Sequence, residues 1–151
     1  MSMPSPPLDA RAWAFLAAHR VARLATVDAD GTPSVVPICY AGDDRALYSA
    51  LDAKPKRVAP VRLRRVRNLL DRPDVALVVD EYAEDWSRLA YVLVRGRADL
   101  LEVGVPDHAA AVELLRAKYP QYQGMPIEEQ PIIRIRPVAA YLWVATPSPT
   151  E

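Results

Sequence analysis

The sequence predicts a mainly β (α+β) domain in which six antiparallel strands curl into a closed or partly closed barrel, with short peripheral helices. Three observations predict it. Short apolar runs rich in β-branched residues recur along the chain, bounded by Gly, Pro and Asp turn signals. Most successive runs are close enough in sequence to pair antiparallel without a crossover. Helical patterns are short and only interrupt the series.

In chain order, residues 1–8 and 146–151 are rich in Pro and Ser and are expected to fray, which leaves one domain over residues 9–145. Asp9 is an N-cap for a helix over residues 10–19, with Trp13, Leu16 and Ala17 on one face. His19, at the C-terminal end of that helix, suits the dipole when charged, which is a structural role. Residues 21–27 read as a strand, 28–31 as a tight Asp-Ala-Asp-Gly turn, and 32–40 as the second strand of a hairpin. Pro33 and Pro37 cannot donate to a ladder, so this strand belongs at an edge, a bulge or an opening. After a turn at 41–44, residues 45–51 supply a third strand and complete a meander. A basic loop and a helix over residues 61–70 follow, and Asp-Arg-Pro-Asp at 71–74 breaks the chain. The fourth strand covers residues 75–82 and a polar loop at 83–87 holds Trp86. The fifth covers residues 89–102, with Gly96 marking a bend or bulge. Pro106 opens a helix running to about residue 118, with Ala110, Leu114 and Leu115 inward. In the last strand, residues 131–144, Ile133 and Ile135 alternate with Arg134 and Arg136.

Composition narrows the function. The 151 residues are 51% apolar, enough for one sizeable core. With 19 basic and 19 acidic residues the chain has no net charge, which argues against a general nucleic-acid binder. The single cysteine, Cys39, excludes an intrachain disulfide and fits a reducing cytoplasm; in its apolar run it reads as a buried structural thiol. The N-terminus lacks the pattern of a signal peptide and no apolar run approaches a membrane span, so a soluble, cytoplasmic protein without membrane partners is expected.

One stretch departs from this balance. Residues 54–68, KPKRVAPVRLRRVRN, hold Lys54, Lys56, Arg57, Arg62, Arg64, Arg65 and Arg67, and no acid. They join a strand to the start of a helix, where free N–H groups, the dipole and Arg forks converge on one spot suited to phosphate. An ordinary solvated helix face is the other reading of the same charges.

Conventional catalytic equipment is missing. The five glycines are scattered, so there is neither a dinucleotide fingerprint nor a P-loop. Two isolated histidines and one cysteine make no metal cluster, and no metal is expected. Neither a nucleophile elbow nor a Cys/His pairing is present. Asp80, Glu81, Glu84 and Asp85 read as a solvated turn rather than an acid/base pair. No catalytic side chain is identified, and any reaction would be carried by a cofactor.

The run ARLATVDADGTPSVVPICY, followed by LYSALD, the basic segment and RNLLDRPDVALVV, resembles the pyridoxamine 5'-phosphate oxidase-like flavin/deazaflavin split-barrel family, and within it the branch that uses coenzyme F420. VLVRGRADLL resembles the family's strand with a central glycine, here Gly96. The resemblance implies a six-stranded split barrel that binds F420, or alternatively FMN, in a groove between the subunits of a homodimer. Cofactor phosphate would meet Arg64 and Arg65, with Asn68 on the next turn, and the ring would pass Tyr48, Ser49 and Ala50. The loop from Asp52 to Arg62 is longer than the compact family pattern, and its Lys54, Lys56 and Arg57 would add phosphate or tail contacts. Trp86, Tyr141 and Trp143 are candidates to line the ring or substrate pocket, with core packing or a subunit contact as the alternative. The implied activity is hydride transfer between non-covalently bound F420 and a small organic substrate. An FMN-dependent oxidoreductase or oxidase, or a non-catalytic cofactor-binding protein, are the alternatives.

Overall fold

The computed structural model describes residues 6–51 and 63–146. Seven strands form one antiparallel sheet that curls into a half-barrel, in the order β2-β1-β5-β6-β7-β4-β3. They are β1 (Ala22–Val27), β2 (Pro33–Ile38), β3 (Ala41–Gly42), β4 (Leu47–Ala50), β5 (Asp74–Glu81), β6 (Ala90–Leu101) and β7 (Ile132–Val144). Helices α1 (Ala10–Ala18), α2 (Arg64–Asp71) and α3 (Pro106–Lys118) pack around it. Among the described residues no helix is long and apolar enough to cross a membrane.

The expected strands are present, with two corrections. There are seven rather than six, because Ala41 and Gly42 pair with Tyr48 and Leu47 as a two-residue rung. The meander is not formed. β1 and β2 make the hairpin, but β4 pairs with β7, from Leu47 opposite Ile135 to Ala50 opposite Ile132. Pro33 and Pro37 stand at the same phase of β2, so their missing N–H groups fall along one side of it, and β2 pairs with β1 alone. β4 is buried on both faces and finds cover between β7 and β3, on the far side of the sheet.

Local chemistry explains most element boundaries. The Asp9 carboxylate accepts from Ala12 N at 2.9 Å and starts α1. Asp28 Oδ1 accepts from Asp30 N and Thr32 N, both at 2.9 Å, and Gly31 takes φ +89° to close the β1–β2 turn. Gly96 stands at a register shift between β6 and β7; a Cβ there would lie 2.6 Å from the carbonyl oxygen of Arg136. Pro106 is in the first turn of α3. That helix buries His108, Ala111, Val112 and Leu115, so its inward face is rotated from the expected one: Ala110 is exposed and Leu114 only half-buried.

Two apolar clusters result. The larger joins α1 and α2 to the inner face of the sheet through Leu16, Leu24, Leu69, Leu77 and Val92; Leu8, expected to fray, is buried in it. The second lies under α3 and holds Tyr48, Leu115, Tyr119, Ile127 and Ile132. Complete burial of each large aliphatic side chain contributes about 1.5–3 kcal/mol.

Arg134 ties the edge of this frame together. Its guanidinium grips Asp99 on the neighbouring strand with two bonds, of 3.0 and 2.7 Å, and reaches Asp107 on α3 at 3.2 Å. Hydrogen bonding to Arg134 holds the Asp99 carboxyl below its ordinary range. Because the folded-state pKa is depressed, this stabilisation is present above the unfolded carboxyl pKa and lost as pH falls through the folded one. Asp99→Asn should therefore cost about 1 kcal/mol near neutral pH, the pair being partly screened by solvent. The deficit should disappear in acid. Urea unfolding across pH checks this, and an equal deficit at both ends would assign the loss to packing instead.

Candidate functional site

Helix α2 is laid down in three stripes. Val66 and Leu69 are buried, and Leu63 packs beside them. Arg64, Arg67 and Asp71 line an open groove of about 460 Å³ shared with Asp28 and Asp30 of the β1–β2 turn. Arg65 lies between these faces and enters a different space. Neighbours in a helix diverge by about 100°. The expected Arg64–Arg65 pair is thus split between two sites.

The second space is a partly open pocket of about 170 Å³ lined by Ile38 and Cys39, by Ser49 and Ala50 of β4, by Arg65 and by Tyr122. Arg65 Nε is buried and has no hydrogen-bond partner among the described residues. The start of α2 adds to the same field. Its N-cap, Leu63, has no side-chain hydrogen bond to the helix, its first turn carries no acid, and Arg67 N is bonded back to Leu63 O at 3.0 Å. The N–H groups before Arg67 are the ones an α-helix leaves without internal partners. A buried cationic donor beside an uncapped helix N-terminus is a place for an oxyanion. The volume is below the usual range for a whole ligand, so it suits one phosphate-sized end of a larger molecule.

The other predicted site residues divide clearly. Ser49 and Ala50 line the cavity with Arg65. Ser49 Oγ donates to the Cys39 carbonyl at 2.8 Å, which orients that wall. Tyr48 turns into the second core, and its hydroxyl donates to Asp43 at 2.7 Å; burial and the Asp43 carboxylate push its phenol up, so it stays protonated. Asn68 is 4% exposed and donates to Thr26 Oγ1 at 3.0 Å, joining α2 to β1. Lys54, Lys56 and Arg57 lie outside the described residues. Cys39 is half-buried and part of the cavity wall, where a buried structural thiol was expected. Tyr122 had no sequence signal: it reaches the cavity from a 3-10 turn, Pro120–Gly124, that follows α3.

Trp86, Tyr141 and Trp143 do not line this cavity. Trp86 is exposed in the β5–β6 connection. Tyr141 and Trp143 stand on the outer face of the sheet, where Trp143 stacks on Tyr91 at 5.7 Å between ring centres. Neither histidine faces the cavity either. His19 Nδ1 is bonded to Phe15 O, and the buried His108 Nε2 to Gln130 O, both at 2.7 Å. Among the described residues no cluster of His, Cys, Asp and Glu could hold a metal ion.

A curled antiparallel sheet with a small pocket between its edge crossover and a helix start is the architecture of a split barrel. The chain belongs to the pyridoxamine 5'-phosphate oxidase family, which it matches over residues 8–144. It is similar to an F420 reductase of known structure, with 27% identity, TM-score 0.60, and coverage of 85% of this chain and 94% of that one. An FAD-binding protein from Mesorhizobium loti aligns with 25% identity and TM-score 0.64, over 88% of this chain and 90% of that one. HutZ, a heme storage protein from Vibrio cholerae, shares the fold at 18% identity and TM-score 0.69, over 87% and 89% of the two chains. No curated protein sequence matches this chain significantly.

The two faces of α2 can be told apart by charge reversal. Arg65→Glu should weaken binding of a phosphate-bearing flavin by far more than it weakens folding, since a charge-assisted bond of about 1.5–3 kcal/mol is lost and repulsion added. Arg67→Glu, in the outer groove, should have a small effect. Fluorescence-quenching titration with FMN measures both, and equal small losses would return the basic cluster to a solvated helix face.

Proposed function

We propose that this protein is an oxidoreductase that binds coenzyme F420 non-covalently and transfers a hydride between it and a small organic substrate. The observation that carries the reading is the unpartnered Arg65 Nε buried at the uncapped start of α2. That donor set fits a phosphate, and neither histidine lines the cavity. The family match and the F420 reductase likeness support the same class of ligand.

When bound, the deazaflavin supplies the hydride chemistry. The protein's own residues bind and orient. Arg65 and the α2 amides hold the phosphate end, while Ser49, Cys39 and Tyr122 shape the cavity around it. The ring is too large for that cavity and would be held outside it, where the protein's part would be to orient it rather than to supply a nucleophile.

A second copy of the chain is the proposed cover for this outer region. Along the outer face of β1, β5, β6 and β7, Ala25, Ala76, Val78, Leu93, Tyr141 and Trp143 follow one another in register. Tyr141 is 55% exposed and Val138 on the same strand 64%. Arg23, Asp80 and Arg95 share these rows, and the exposed apolar residues among them are what an isologous dimer would bury. Light scattering at micromolar concentration should give a dimer, and a clean monomer with cofactor bound would contradict it.

F420 should bind more tightly than FMN. Both present a phosphate to Arg65, so that contact does not choose between them. F420 continues into a lactyl and polyglutamate tail. The groove of Arg64 and Arg67 also carries Asp28, Asp30 and Asp71 and has no surplus of positive charge for such a tail. Lys54, Lys56 and Arg57, just upstream, supply it. Each exposed contact contributes about 0.2–1 kcal/mol, and together they favour F420 by about one or two powers of ten at low salt. Raising salt or changing Lys54→Ala with Lys56→Ala should erode the preference. Tighter FMN binding that survives salt would identify an FMN enzyme instead, and binding without oxidation or reduction of the ring would mark a carrier.

A further inference from the structure

Between β2 and β3 the chain passes from one edge of the sheet to the other, and only Cys39 and Tyr40 make the passage. Backbone polar groups in such a crossing have no ladder to join, and when buried they need other partners. Side chains supply them. Tyr119, from the C-terminal end of α3, accepts from Tyr40 N at 3.0 Å. Its hydroxyl proton faces the carbonyls of Arg20 at 2.8 Å and Tyr40 at 2.9 Å. Tyr40 is itself buried, and its own hydroxyl donates to Leu16 O at 2.6 Å. Lys118 Nζ lies 3.8 Å from the centre of the Tyr40 ring.

Tyr119 also touches a second part of the cavity lining. Its ring meets that of Tyr122 edge-on, with 5.5 Å between centres. One side chain therefore holds the main chain next to Cys39 and the ring of Tyr122, two residues that line the cavity together with Arg65. We propose that Tyr119 is a positioning residue for the phosphate end of the cofactor: through Tyr40 and Tyr122 it sets the width of the cavity that Arg65 lines. The inference rests on the reading of that cavity as a phosphate site. Burial pushes the Tyr119 phenol up to about 12, so it keeps its proton and its donor role throughout the physiological range.

The test compares FMN with riboflavin, which differ by the phosphate alone, on the full-length wild type and on Tyr119→Phe, Arg65→Ala and Asp99→Asn. Fluorescence quenching gives both affinities, and thermal unfolding gives the Tm. Tyr119→Phe should lower FMN affinity about tenfold while riboflavin changes far less. Arg65→Ala should show the same pattern without the accompanying loss of Tm. Asp99→Asn, which removes an ion pair with Arg134 that is not part of the cavity lining, should lower Tm and leave the FMN-to-riboflavin ratio at its wild-type value. A Tyr119→Phe protein with lowered Tm but an unchanged ratio would make Tyr119 a structural residue only and overturn the proposal. If the ratio falls in Arg65→Ala alone, the phosphate site stands and the positioning role fails. A wild type with no preference for FMN over riboflavin overturns both readings together.

Discussion

Pairing of β2 on one side only is the constraint from which the rest of the architecture follows. Pro33 and Pro37 stand four residues apart at the same pleat phase, so two donors are missing from one side of the strand. The chain leaving β2 must then find its next partners elsewhere, and it finds them at the far end of the sheet. A half-barrel closed by a two-residue crossover is the result. Tyr119 and Ser49 satisfy the backbone of that crossover, and it forms one wall of the cavity entered by Arg65.

On the proposed reading, the same arrangement would let a chain with no net charge select an anion. Surface arginines are worth little to binding on their own, because water and salt screen them. Arg65 differs in that its Nε is buried and without a partner among the described residues, in the first turn of a helix with an apolar N-cap. Exchange of water for a phosphate oxygen there meets a preorganised donor set. Arg64 and Arg67, equally basic, share an open groove with three carboxylates and lack this advantage.

Much of the fold was legible in the sequence because it depends on short-range chemistry. The Asp9 cap, the Asp28–Gly31 turn, the Gly96 bulge and the Pro106 helix start each rest on one or two residues whose backbone demands are strong. What was not legible depends on partners distant in sequence. Ala41–Gly42 carries no strand signal and is a strand only because β4 lies beside it. Alternation identifies β4 as a strand but not β7 as its neighbour. At the site, Arg65, expected at the phosphate, and Ser49 and Ala50, expected beside the ring, line one pocket, whereas the arginine pair assumed that sequence neighbours share a helix face. Cys39 and Tyr122 escaped for a related reason: a strand end and a 3-10 turn meet at the cavity only through the tertiary fold.

The central claim is that the phosphate of a flavin or deazaflavin sits against Arg65 at the start of α2. A crystal structure of the protein with F420 or FMN bound tests it most directly. The account predicts a phosphate oxygen accepting from Arg65 Nε and from the first amides of α2, with Ser49 and Tyr122 alongside and the ring outside the cavity. A phosphate held instead by Arg64 and Arg67 in the outer groove, with Arg65 Nε left without a partner, would contradict it.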